Sequence, residues 1–156
     1  MKWYIRAFRK YAVFSGRDSR KAFWMFYWTD MNVRIAILLA SFLLNIFIIA
    51  LLVLYLAVSV LPWIAAHVRR FHDLGYSGWH LLMLRIPTLV AGFLGVSWLA
   101  MVLGARTWMI WALLSEYSFL LYFIILLSVV SEIGMHIMLA LPGEPGPNRY
   151  GPPPEE

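Results

Sequence analysis

The residues able to do chemistry gather in one stretch, HVRRFHDLGYSGW at 67–79, where two guanidiniums, two imidazoles and a carboxylate precede a Gly-x-Ser-Gly turn. Arginine forks suit phosphate oxygens, and Gly75 and Gly78 would let backbone N–H groups approach an anion. The stretch therefore reads as a site for a phospholipid headgroup or another phosphate, built from Arg69, Arg70, His72, Asp73, Gly75 and Ser77. Arg17 and Arg20 of the preceding basic block are further members. The plainer reading makes Arg69 and Arg70 membrane-surface anchors, with Asp73 capping the next helix or pairing with Arg17 or Arg20. Other chemistries fit less well. His67, His72, Asp73 and His80 are spaced by five, one and seven residues, which matches no metal template, and the chain has no Cys to add a thiolate. Ser77, His72 and Asp73 lack the separation of relay partners and any oxyanion motif. The expectation is no catalytic residue, no metal and no cofactor.

The elements that position this stretch belong to a membrane protein. Of 156 residues 62% are hydrophobic and 13% charged, with a mean hydropathy of +0.74, too apolar for a surface that must be wetted. Eight Trp, eight Tyr and ten Phe suit the headgroup level, where one edge of a ring is apolar and the other wet. Residues 1–21 carry seven Lys or Arg against Asp18, which points to an anionic cytoplasmic surface and not to nucleic acid. No cleavage site follows the first apolar run, so the N-terminus is expected to be retained.

In chain order, residues 2–14 place Lys2, Arg6, Arg9 and Lys10 on one arc of a helical wheel and aromatic residues on the rest, predicting an interfacial amphipathic helix. The bland alternative packs it on the bundle. Ser15 and Gly16 should break it, and Asp18 or Ser19 should cap a helix beginning near Lys21. Residues 35–66 form an uncharged run of 32, too long for one span of about 20. Two spans, about 22–43 and 46–66, are predicted with a turn near Asn45, and then the loop. A third span follows at 79–103, where Pro87 would kink the helix and Gly92 and Gly95 would admit a close neighbour. Gly104–Arg106 reads as a turn, Trp108 and Trp111 as an interfacial stretch, and about 117–141 as the fourth span. Residues 142–156 are an extended, exposed tail; with Leu141 they hold six of the eight prolines. The fold class is thus an all-α integral membrane protein, a single bundle over 1–141 with four transmembrane helices, or three if the first apolar run is one tilted helix. With four, the basic block, Arg69-Arg70 and the tail share the cytoplasmic side.

Four charges fall inside these spans. Asp30, Arg85 and Glu132 lie about 10–13 Å from the cytoplasmic ends, and Arg34 follows Asp30 at i, i+4. Isolated ions there cost at least about 2.5 kcal/mol each, so Asp30 should pair with Arg34 and Glu132 with Arg85 in a buried cluster joining the first, third and fourth spans.

Three stretches, FSGRDSRKAFWMF at 14–26, PWIAAHVRRFHDLGYSGW at 62–79 and GPNRYGPPP at 146–154, resemble a family known as domain of unknown function 805, small bacterial inner-membrane proteins. The family pattern is F-x-G-R-x-x-R with an aromatic pair, then R-R-x-H-D-x-G-x-S-G-W, then G-x-N-x-[FY]-G-P. The family usually has Glu at the position of Ala22, and residues 98–130 exceed its shorter members, so the resemblance implies nothing for the fourth span. It implies a bacterial inner-membrane location and no assigned reaction. Three classes of function remain: a non-catalytic scaffold binding anionic phospholipid, a membrane-protein partner or a second copy; a small permease or channel subunit; and an enzyme acting on a lipid phosphate. The first is preferred, because paired broken helices or a repeat are missing from the sequence.

Overall fold

Ser19 decides where the first long helix begins. Its backbone is extended and its Oγ accepts from Ala22 N at 3.2 Å, satisfying a donor that the first helical turn leaves without an intrahelical partner. In the computed structural model, which describes residues 2–44, 48–102, 112 and 118–154, the described residues form five helices: α1 (Lys2–Arg9), α2 (Arg20–Leu43), α3 (Ile49–Asp73), α4 (Trp79–Val102) and α5 (Ser118–Ala140). They fall into two compact units, Met1–Gly78 with Leu141–Glu156, and Trp79–Ala140. Among the described residues three helical segments are long and apolar enough to cross a membrane: Ile49–Asp73, Trp79–Trp98 and Phe119–Ala140. The turns expected at Asn45 and at Gly104–Arg106, and the interfacial stretch with Trp108 and Trp111, lie outside the described residues.

In the first unit α1, α2 and α3 pack together, with Phe23, Phe26, Ala65, Ala66 and Phe71 almost fully buried. The small Ala66 lines a narrow cleft together with Phe23 and Phe26 of α2. Here α1 departs from expectation. It ends at Arg9, five residues before Phe14, and its apolar side is turned to protein: Trp3 and Ala7 are buried, Tyr4 stacks on Phe26 at 6.0 Å, and the Tyr4 and Tyr55 hydroxyls are 3.0 Å apart. The packed alternative is therefore the one observed. After Arg9 the chain turns, and the Tyr11 hydroxyl donates to Val58 O at 2.8 Å.

The stretch expected as loop 67–79 is helix as far as Asp73. Its polar side chains are compatible with helix, and the stop comes only at Gly75, whose φ of +78° is a left-handed cap. Gly75 N donates to His72 O at 3.1 Å and Tyr76 N to Phe71 O at 2.9 Å, the paired bonds of a Schellman ending. The connection to α4 is only 74–78.

In the second unit α4 packs on α5, and the Ser131 hydroxyl donates to Leu84 O across the pair. Among the described residues Gly92 and Gly95 do not mark the close approach expected of them, since a Cβ at either would meet none of those residues within 4 Å. Gly95 instead lines an apolar cavity of about 290 Å³ with Ala91, Leu94, Trp98, Leu121 and Ile125. The outward apolar side chains of both helices, such as Met83, Leu89 and Phe93 on α4 and Phe119 and Leu126 on α5, suit lipid contact.

Because Ser19 supplies the cap of α2, Ser19→Ala should lower stability by about 1 kcal/mol. Chemical unfolding in detergent followed by circular dichroism measures it, and Ser19→Asp should restore most of the loss.

Candidate functional site

The polar residues around the end of α3 meet at two buried carboxylates, Asp18 and Asp73. Asp73, in the last turn of α3, accepts from Arg17 Nε at 3.0 Å and lies 2.9 Å from a terminal nitrogen of the same guanidinium. Its other oxygen accepts from Arg70, three residues back on α3. The side chains of Arg17 and Arg70 are 1% and 0% exposed, so both charges depend on partners and not on water. Asp18 forms the second centre. Its Oδ2 accepts from Arg69 Nε at 2.7 Å, Arg6 lies 3.9 Å from Oδ1, and Asp18 N donates to Arg69 O at 3.2 Å. Arg69 also reaches Val13 O. The segment between α1 and α2 is thus fastened to the end of α3 through adjacent arginines that take separate carboxylates.

The tail closes this network. Arg17 donates to Glu144 O at 2.6 Å, Gly146 O at 2.7 Å and, at a longer 3.4 Å, Gly151 O, while Arg70 donates to Leu141 O. Glu144 N donates to Asp73 O at 2.9 Å. Asn148 Nδ2 bridges His72 O at 2.9 Å and a Glu144 carboxylate oxygen at 2.7 Å, and its Oδ1 accepts from Tyr150 N. His72 stacks face to face on Tyr150 with centroids 3.7 Å apart, and its Nδ1 is 3.2 Å from Gly16 O. Arg149 donates to Gly75 O at 3.1 Å. Two glycines make the seat possible: a Cβ at Gly75 would fall 2.2 Å from a Glu144 oxygen, and one at Gly143 would fall 2.1 Å from an Asp73 oxygen. The tail expected to be exposed and extended is non-helical, as its prolines require, but it is held down along residues 141–151.

These positions revise the sequence-derived site. Arg17, Arg69, Arg70, His72, Asp73 and Gly75 do come together, yet the guanidiniums face carboxylates and main-chain carbonyls of the same chain, and the Gly75 N–H is spent on the helix ending. The plainer pairing of Asp73 with Arg17 is present; Arg20 stands exposed in the first turn of α2, and Ser77 is half-buried in the connection 74–78. His67 is enclosed by the rings of Phe23 and Trp63, with Nδ1 2.8 Å from Trp63 O. Among the described residues no three His, Cys, Asp or Glu side chains group as metal ligands. Sequence reading missed Asp18, Glu144, Asn148 and Tyr150. The available signal was that two carboxylates, Asp18 and Asp73, each adjoin arginines in stretches with the same family resemblance as the tail.

The charges within the helices are also paired. In the first unit Arg34 is 2.6 Å from Asp30, which additionally accepts from the Tyr55 hydroxyl, and Arg34 reaches Ser59 at 3.4 Å. In the second unit Arg85 is 2.7 Å from Glu132, and His136 lies 3.5 Å from the other carboxylate oxygen. An isolated charge within a membrane-spanning helix costs at least about 2.5 kcal/mol, so removing one partner strands the other, whereas reversing both charges restores the pair. Glu132→Arg should therefore reduce the inserted, monodisperse protein sharply, and adding Arg85→Glu should recover it, read by size-exclusion yield from membranes. For the tail, Gly75→Ala should open residues 141–151, because the left-handed backbone and the Glu144 contact both oppose a methyl group; hydrogen exchange there should rise at least about tenfold.

With this geometry established, similarity to known proteins places the chain. Residues 11–152 match the family described as "Protein of unknown function (DUF805)". The inner membrane protein YhaI of Escherichia coli K12 is 36% identical over 87 residues, covering 56% of this chain and 74% of that protein. The inner membrane protein YhaH of the same organism is 32% identical over 91 residues, covering 56% of this chain and 75% of that protein. No solved structure matches. The Arg17–Asp73–tail network and the three apolar helices thus belong to an inner membrane protein, and the chain is a member of the DUF805 family of unknown function.

Proposed function

We propose that the chain is a non-catalytic interaction protein of the inner membrane whose cytoplasmic face holds anionic phospholipid. The observation that carries this reading is the exposure of Lys2, Arg9, Arg20 and Lys21 around α1 and the first turn of α2, while Arg17, Arg69 and Arg70 are committed to Asp18, Asp73 and the tail. Headgroups then meet the exposed cations, at about 1 kcal/mol each. In this reading α1 rests on protein through Trp3 and Ala7 and turns its cations to the lipid surface. The architecture has four spans, with α2 as the first: its 24 residues reach about 36 Å, and Asp30 and Arg34 neutralise each other within it. The basic N-terminus, the Arg69-Arg70 end of α3 and the tail then share the cytoplasmic side, as the distribution of Lys and Arg favours.

Two measurements test the proposal. In nanodiscs of mixed zwitterionic and anionic phospholipid, energy transfer from Trp to labelled lipid should report enrichment of the anionic species around the protein. Replacing Lys2, Arg9, Arg20 and Lys21 by Gln should reduce that enrichment several-fold, as should high salt, while unchanged enrichment removes the lipid role. A reporter fused after Glu156 should signal from the cytoplasm, and a periplasmic signal would leave three spans.

A further inference from the structure

The tail carbonyls that accept from Arg17 and Arg70 have one property in common. Leu141, Glu144, Gly146 and Gly151 each stand immediately before a proline. A residue before proline is biased to extended backbone, and proline contributes no N–H. A segment of this kind presents carbonyl oxygens at short intervals with few donors to compete for them. The complement is a set of donors with no acceptor, which is what a guanidinium fork offers. Arg17 and Arg70 supply the forks, and both also bond to the Asp73 carboxylate. Around them, the His72 ring receives the face of Tyr150, His72 O accepts from Asn148, and Gly75 O accepts from Arg149, so side-chain identity is read as well as backbone.

We infer that the Arg17–Arg70–His72 cradle is a recognition site for an extended, proline-interrupted segment, and that the tail of a second copy of this chain is the ligand it takes in trans. The cradle lies wholly within residues 16–75, and the segment it holds lies within 141–151. Exchange between two copies replaces each hydrogen bond by an identical one, so it costs no contact.

The test uses two full-length variants carrying different affinity tags. Arg17→Ala removes the larger fork but leaves the tail intact. Gly143→Val leaves the cradle intact but stops its own tail from seating, because the added side chain meets the Asp73 carboxylate. Co-expressed, the two should co-purify on the order of tenfold better than either variant with itself, since loss of one hydrogen bond to a charged group already changes affinity by about that factor. Arg17→Lys in place of Arg17→Ala should give the same result, because it keeps the charge without the planar fork. Association no stronger in the mixed pair than in the like pairs overturns the inference. A second arm needs no cradle variant: a labelled peptide of residues 141–154 should bind the monodisperse Gly143→Val protein, and the peptide with Pro145 and Pro147 changed to Ala should bind about tenfold more weakly. No binding, or equal binding of the two peptides, overturns it.

Discussion

A single carboxylate shared by two arginines, Asp73 between Arg17 and Arg70, is the interaction on which the first unit depends. Each of these groups is removed from water, and an ion so placed costs several kcal/mol unless a charge and hydrogen bonds replace its hydration. One carboxylate cannot use all ten N–H donors of two guanidiniums. The surplus must find oxygens elsewhere, and the segment that supplies them is the tail. Sharing Asp73 is therefore what draws residues 141–151 onto the end of α3.

The same constraint fixes the length of α3. Arg70 and Asp73 meet only because helix places them three residues apart on neighbouring faces, so the helix has to continue to Asp73 before it is allowed to end. Arg69, one residue earlier, then points to a different partner and takes Asp18. Adjacent arginines in a helix project about 100° apart, which is how two neighbouring residues fasten two distant segments, 13–18 and 141–151. Lysine at these positions would carry the charge but not the several directed donors that Arg17 uses at once.

Much of this arrangement can be read from the residues. The cap at Ser19, the long apolar helices and the two ion pairs Asp30–Arg34 and Arg85–Glu132 follow from residue type and position, because caps, apolar length, i, i+4 spacing for the first pair and depth along the spans for the second are local or one-dimensional quantities. The stretch 67–73 misleads, since a run of charged and imidazole side chains looks like an exposed loop unless its partners are known to be buried with it. The helix α1 misleads for the opposite reason: an amphipathic pattern states that one side is apolar but not whether lipid or protein covers it, and here Phe26 and Tyr55 do. The anion-binding reading of Arg17, Arg69 and Arg70 starts from the same donor chemistry, and the oxygens these donors meet within the chain are those of Asp18, Asp73 and the tail. Sequence order alone does not say that residues 141–151 return to residue 17.

Proline content misleads about the tail in a way that has a physical explanation. Closely spaced prolines exclude helix and remove backbone donors, which suggests a solvated strand of chain, yet both properties favour docking once a cluster of pure donors exists. Ordering a residue's backbone costs about 1–2 kcal/mol, so fixing eleven residues from 141 to 151 is a heavy charge against a set of hydrogen bonds. Seven of those eleven are prolines or precede one, and their backbone freedom is already reduced in the unfolded chain. The loss on docking is smaller by that amount. A flexible Gly/Ser tail of equal length would present carbonyls too, but it would bring an unpaired N–H with each of them and far more entropy to lose. The buried arginines and the prolines are thus two halves of one solution: donors that cannot be left without oxygens, and a stiff segment with little to offer except oxygens.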